Sequence, residues 1–600
     1  MVNYRKQTTL LSHFKSGQNK AKREINHKDG KKYMKLIIDG RETVAHQNQT
    51  LLQIITEMGF INGKLSHDPI VAKIAGEVFT LNYVPTRKRR SKNDKPSLRK
   101  AIEASNGKVT LLRYSDPLGM DAYKRTAQFI LFAAIKKLWP ESEAQMNCTV
   151  GSGLYIKVAN AKDFSIKKLK VQIAKMVRKN VSLKRKTIPT EEAIEFYRNQ
   201  GQFDKSKLLE YRTSETFSMY HYGDFADYFY GEMAPSTGFL KVWDILPAPN
   251  GFMFIFPDAL NPDKLSNYKE SPNFFNVYTE GKQWGELMKC QTVADLNEMV
   301  DNGRIRTLIQ VNEALHEKRF SQIADAICQR GAKIAMLAGP SSSGKTTSAN
   351  RLATQLRVHG KNPILMSLDD YYLDRDKIAP GPDGSIDLEH INTIDTELFA
   401  KHLTQLLKGE EVELPTFNFK IEKREWLGHK LRLDESTVII VEGLHALNPV
   451  LLPKDADANS IVKIYVSPLL ALNLDNHNRI PSSYLRLLRR TVRDYETRNS
   501  SVQKTLSMWD SVRRGEERWI FPFQEQADFI FNSSTLYEVC ILKRHIFPLL
   551  NKVEPCDDCY DEVRSMVKFL NFIHEADVDD EIPPTSLVRE FIGGNTFYLK

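Results

Sequence analysis

The chain has 600 residues, 41% of them apolar and 10% aromatic, which excludes a disordered polymer and leaves room for roughly three or four domains. No run of about 18 consecutive apolar residues occurs, so no membrane span is expected, and a cytoplasmic location follows as the expectation. Six cysteines are too few for a disulfide framework, and a net charge of +11 directs attention to anionic partners.

Residues 1–33 read as a basic tail. Positions 1–32 carry nine Lys/Arg against two acids and lack the apolar run of a secretory signal. A disordered tail is expected, with a cleaved organellar presequence as the alternative. Residues 34–90 read as a small β-rich unit. Lys35–Arg41 has the pattern of a strand running into an Asp39-Gly40 turn. Thr50 is placed to cap a short helix, and Val71–Ile74 and Val78–Asn82 alternate like strands. A basic linker, 91–100, follows Arg87-Lys88-Arg89-Arg90.

Residues 101–290 read as an α+β unit. Apolar residues at helical spacing predict a helix over Tyr123–Leu138, and a second, basic helix is expected over Lys167–Lys186. Its charges suit a solvated face better than an RNA ridge. Cys556-Asp557-Asp558-Cys559 is a lone CxxC without a second pair, so two thiols are expected there and no zinc site.

From 300 to 535 the pattern changes to buried strands alternating with helices. Strands are expected at Lys333–Ala338, Ile364–Leu368, Val438–Val441, Ile461–Val466 and Phe529–Phe531, which predicts a parallel sheet covered on both faces. After the first strand comes Gly339-Pro340-Ser341-Ser342-Ser343-Gly344-Lys345-Thr346, followed by Thr347 in a helix-like stretch to Val358. This is the G-x-x-x-x-G-K-[ST] phosphate loop, whose backbone N–H groups point at phosphate oxygens. Lys345 is placed to reach the β/γ-phosphates and Thr346 to hold Mg²⁺. Asp369, just past the second strand, can accept a proton from a hydroxyl or hold Mg²⁺ through water. Glu442, at the end of the third strand, has the position of a metal-side acid. Arg486, Arg490 and Arg493 share one helical face, suited to clamp a transferring phosphoryl group. Residues 536–600 are expected to form helices packed on this core.

Three resemblances follow from these motifs. Residues 34–85 resemble the TGS domain, a β-grasp module. Residues 101–260 resemble the second, editing domain of threonyl-tRNA synthetases. Where that family carries metal-type or editing side chains, this sequence has Lys124, Gln128, Phe229 and Met233, ahead of Pro235-Ser236-Thr237-Gly238. An editing reaction and a zinc site are therefore not expected. Residues 330–535 resemble the uridine kinase and phosphoribulokinase family through five ordered stretches. These are the phosphate loop, Ser367–Tyr372, Pro415–Phe419, Val441–Ala446 and Arg489–Asp494.

That last resemblance implies ATP as donor, Mg²⁺, and a nucleoside 5′-hydroxyl as acceptor. It implies Asp369 as the activating acid, Asp387 on the ribose, Tyr372 on the base, and Arg490, Arg493 and Arg498 in a lid. Phe417, Phe419, Glu422 and Arg424 fall in the stretch that contacts the base. There the family's Tyr is replaced by Phe417 and its His by Glu422, so uridine preference is not carried over. The alternatives are a TGS-bearing GTPase and an RNA-binding regulator. Asp116-Pro117-Leu118-Gly119 lies in the wrong order for the GTPase, and Asn551-Lys552-Val553-Glu554 is only a near miss of its guanine motif. RNA contact through the basic front segments and homo-oligomerisation remain secondary expectations.

Overall fold

The computed structural model describes residues 33–86, 98–212, 214–378, 387, 389–419, 421–452, 457–554 and 557–597. The basic tail to residue 32, most of the linker and Cys556 lie outside these residues.

The first unit is a five-stranded mixed sheet. Its order is Arg41–Ala45, Met34–Ile38, Lys108–Leu112, Val71–Ile74, Glu77–Thr80. Asp39 and Gly40 both adopt positive φ, the geometry a two-residue hairpin turn needs. Thr50 accepts from the Gln53 amide and closes a capping box on helix Leu51–Glu57. The boundary expected at residue 90 is corrected here. Lys108–Leu112 is the central strand, parallel to Met34–Ile38 and antiparallel to Val71–Ile74. Helix Leu98–Ala104 leads into it.

The second unit packs a long helix, Pro117–Leu138, against a four-stranded antiparallel sheet and a three-stranded one. The helix starts six residues earlier than the periodicity indicates, because Pro117 is tolerated in the first turn. The Asp116–Gly119 stretch weighed as a GTPase motif is this helix start. The basic helix is shorter than expected. It spans Ile166–Lys179 and stops at Asn180, whose left-handed backbone ends the hydrogen-bond ladder. Residues Lys184–Pro189 then form an edge strand.

The third unit holds a five-stranded parallel sheet in the order Asn362–Ser367, Thr437–Glu442, Ile334–Ala338, Ile461–Ser467, Phe529–Asn532. All four ladders run parallel, and the three middle strands are almost wholly buried. That is why they read in sequence as continuous apolar runs. Their carboxyl ends lie at one edge, with Ser367 and Leu337 both in register with Glu442. One apolar core joins the units. It contains Tyr197 and Phe217 from the second, Leu472 and Leu488 from the third, and Cys540 and Ile573 from the C-terminal helices. The five described cysteines are free.

Candidate active site

The phosphate loop links strand Ile334–Ala338 to helix Lys345–Val358 at the centre of the sheet. Gly339 has no room for a side chain, since a Cβ there would lie 2.2 Å from the Val466 carbonyl oxygen. Ser342 and Gly344 take positive φ of 57° and 86°, which turns the chain so that its amides converge. The Ser342 and Ser343 hydroxyls are buried without a partner among the described residues. Two carboxylates already sit on this nest. Glu516 accepts from the Ser341 amide at 3.0 Å, and Glu590 accepts from the Thr347 amide at 3.2 Å and its hydroxyl at 2.7 Å. The loop is thus a working anion receptor, and a polyphosphate fits its donor set.

Lys345 donates to the Pro340 carbonyl at 3.2 Å. Burial lowers its ammonium pKa, while Glu442, Asp369 and Glu590 oppose that shift. Thr346 donates to Glu442 at 3.3 Å, a hydroxyl and a carboxylate oriented as a pair of hard oxygen ligands. Burial pushes Glu442 up to about 7 against the pull of Lys345, with Asp369 and Glu590 adding to the rise. Asp369 opens a short 3₁₀ turn, Leu368–Tyr371, two residues past the strand. Burial raises its pKa too, and the Lys345 charge restrains it. Burial therefore raises both acids, and the Lys345 charge opposes the rise at each. An arrangement of this kind can take up a cation between Thr346 and Glu442, and a hydroxyl proton at Asp369.

The arginine helix, Ser482–Arg498, splits into two roles. Arg486 and Arg489 are structural: Arg486 pairs with Glu516 through two bonds, and fully buried Arg489 donates to Glu538 at 2.7 Å. Arg490 reaches the loop, donating to the Ser341 hydroxyl at 2.8 Å. Arg493 pairs with Asp494 at 2.8 Å, and the buried Arg490 and exposed Arg498 side chains share the same carboxylate. The Arg498 charge also reaches Asp369.

Tyr372, Phe417 and Phe419 form an aromatic wall, with ring centroids 5.6, 6.4 and 5.1 Å apart pairwise. Arg424 is occupied in holding that wall: it donates to Asp395 at 2.9 Å and to the Tyr371 and Tyr372 carbonyls at 3.0 Å. Glu422 sits at a hairpin turn with positive φ, half-exposed, 3.6 Å from Arg375. Asp387 accepts from the Glu389 amide at 3.1 Å and so caps a turn. Glu389 is the acid of this segment whose charge reaches Arg490, Lys345 and Asp369. Burial pushes it up to about 7, Glu516 adds to the rise, and Arg490 and Lys345 oppose it.

In the second unit, Phe229 and Met233 are buried in its core beside Phe132. Next to them lies a closed polar joint. Lys205 donates to Asp227 at 2.5 Å, and His477 of the third unit bonds Asp227 at 2.5 Å while stacking on Phe132 at 3.7 Å. Tyr228 donates to Asp475, which also accepts from Asn478 at 2.9 Å. A loop of the third unit therefore packs beside Phe132, Phe229 and Met233. No cluster of three or more metal-type side chains occurs among the described residues.

Residues 334–539 match the family model "Phosphoribulokinase / Uridine kinase family". A uridine kinase from Staphylococcus epidermidis is 30% identical over 206 residues, 34% of this chain and 89% of that one. The chain belongs to the phosphoribulokinase/uridine kinase family. The other part of the chain matches threonine–tRNA ligases. That of Acetivibrio thermocellus is 30% identical over 148 residues, 24% of this chain and 23% of the ligase. That of Rickettsia canadensis is 29% identical over 218 residues, 36% of this chain and 31% of the ligase. The chain thus spans less than a third of the length of these ligases.

Three acids near the loop carry no role in the sequence motifs, two in the kinase-family domain and one, Glu590, beyond it. Glu389 had a signal: Glu389-His390 repeats the acid–histidine order of the family's F-D-H-P-like segment, two positions after Asp387, with a longer acid. Glu516 and Glu590 had none, since each meets the loop only through the fold.

Proposed function

We propose that this chain is an ATP- and Mg²⁺-dependent kinase that phosphorylates a small-molecule hydroxyl, the 5′-OH of a nucleoside. The reading rests chiefly on one observation: beyond the carboxyl ends of three adjacent parallel strands, in register at Leu337, Ser367 and Glu442, lie the anion-binding loop with Lys345, the Asp369 turn, and Glu442 bonded to Thr346 at 3.3 Å. The loop amides and Lys345 hold the phosphates. Thr346 and Glu442 would hold Mg²⁺, which supplies charge neutralisation on the phosphate oxygens. Asp369 accepts the proton of the attacking hydroxyl, and a raised pKa makes it a better base at neutral pH than an exposed carboxylate. Arg490 and Arg493 carry the cationic charge that faces the transferring group. Positioning and fixed charge supply most of the acceleration.

The acceptor's base is held by stacking on Tyr372, Phe417 and Phe419. Phe417 has no hydroxyl and Glu422 points into a half-exposed turn, so the base edge is read weakly. Glu389 takes the ribose hydroxyls, while Asp387 and Arg424 support the walls. A screen of nucleosides and sugar phosphates with ATP and Mg²⁺ tests this. Nucleoside 5′-monophosphates, with more than one base accepted, are the expected products. Phosphate release alone, or transfer only to a sugar phosphate, would count against it.

A companion role for the front units follows from a basic face. Lys167, Lys168, Lys175 and Lys179 are exposed on one helix, and Lys184 and Lys186 on the edge strand beyond it. Such a face suits an RNA backbone, and tRNA binding that weakens steeply with salt would support it.

A further inference from the structure

We propose that the C-terminal strap, residues 586–597, seats a carboxylate in the nucleotide's own phosphate site, so that a triphosphate binds only by displacing it. The inference rests on reading the loop at Gly339–Thr346 as the nucleotide site, and it concerns how that site is regulated.

Thr347 lies in the first turn of helix Lys345–Val358, where backbone N–H groups lack intrahelical acceptors and the helix dipole favours an anion. Glu590 takes both donors of this residue, the amide at 3.2 Å and the hydroxyl at 2.7 Å. Asn595 completes the cover by donating to the Thr347 hydroxyl at 3.3 Å. A phosphate cannot share those donors with the carboxylate. Both would be anionic, at hydrogen-bonding distance, in a largely buried place where repulsion is poorly screened.

The acid is not there through a loose tail. Ser586 donates to Glu313 at 2.7 Å, and Glu313 also binds Arg351 of the loop's helix at 3.2 Å. Leu587 is fully buried against the loop, close enough that a Cβ on Gly344 would lie 2.9 Å from it. The ring of Phe591 packs 4.9 Å from the Arg489 guanidinium, which donates to the Ser342 carbonyl at 3.4 Å. Arg589 ties the short helix back to the Asp579 carbonyl at 2.6 Å. Glu590 is flanked by anchored Arg589 and buried Phe591, so the short helix stays docked and the site opens by withdrawal of the Glu590 side chain, while the residues from Gly593 onward can leave. Gly593 and Gly594, with φ of 89° and 72°, give the segment before Asn595 the freedom to swing.

The strap is thus a competitive gate. Its carboxylate occupies the loop until a polyphosphate outbids it, and a change that pulls the C-terminal helices away would open the site.

The test is equilibrium binding of ATP, and separately of inorganic pyrophosphate, to the full chain and to Glu590→Gln and Asn595→Ala, with thermal melting of each. Replacing the charge while keeping the shape is expected to tighten ATP binding by roughly 10- to 100-fold. Pyrophosphate should tighten in the same direction, and Asn595→Ala should tighten ATP by a smaller factor. A loosened fold would instead lower the melting temperature and weaken binding together. Equal or weaker ATP binding by Glu590→Gln overturns the gate while leaving the nucleotide site intact. Absence of ATP binding in every protein, wild type included, overturns the reading of the loop itself.

Discussion

Two buried acids of this protein, Asp227 at the inter-unit joint and Asp369 at the phosphate loop, are shifted in opposite directions, although Asp475 beside Asp227 is raised by burial as the loop acids are. At the joint between the second unit and the kinase-family domain, burial alone would raise Asp227, but Lys205 and His477 outweigh it and hold its carboxyl at about 2. The Asp227, Lys205, His477 and Asp475 side chains are all hydrogen-bonded, and the cluster is sealed by Phe132, Tyr197 and Tyr228. At the phosphate loop, burial wins: Asp369 is raised and Glu389 and Glu442 reach about 7. Paired charge marks a structural weld, and underpaired charge marks a site waiting for a ligand.

The comparison can be broken by mutation. Asp227→Asn leaves the Lys205 ammonium buried without its counter-ion, and should cost about 3–5 kcal/mol in chemical denaturation. A loss under about 1 kcal/mol would mean the joint is not a weld.

The next largest effect is on acid stability. Burial pushes the His316 imidazole down to about 4, against an ordinary value near 6.5. The folded protein keeps it neutral while the unfolded chain takes up a proton. Stability from this residue is therefore complete above pH 6.5 and is lost as pH falls towards 4, by up to about 3 kcal/mol. Urea midpoints across that window should fall for the wild type and flatten for His316→Gln.

Lys282 sharpens the rule from the other side. Its ammonium is buried without a partner among the described residues, and burial lowers it to about 7. A folded value below the unfolded one costs stability at neutral pH, so Lys282→Met should raise the melting temperature, equivalent to about 1–2 kcal/mol. The smallest shift belongs to the loop acids: Asp369→Asn and Glu389→Gln should leave stability within about 1 kcal/mol of wild type, or raise it slightly. A large destabilisation by either would place it with Asp227.

The sequence was legible where local pattern carries the fold. The three middle parallel strands read as apolar runs because both of their faces are covered, and Asp369 and Glu442 stood out as acids just past strands of this sheet. The phosphate loop is a contiguous motif and needed no tertiary information. Less was legible where distant segments meet. Lys108–Leu112 completes the first sheet from beyond a basic stretch, so no spacing rule joins it to Met34–Ile38. Glu590 and Thr347 are 243 residues apart, and His477 and Asp227 are 250 apart. Asp387 drew attention as the nearest acid of the right type; its carboxylate accepts from the Glu389 amide, and the charge of Glu389 reaches Arg490 and Lys345.

The most direct test of the central claim is transfer of label from γ-labelled ATP to a nucleoside by the wild type and Asp369→Asn, with ATP affinity measured on both. Label should appear at the 5′-position with the wild type, and the variant should be slower by roughly 10²–10⁴ at unchanged ATP affinity. Undiminished transfer by the variant, or label recovered only as free phosphate, would contradict the assignment.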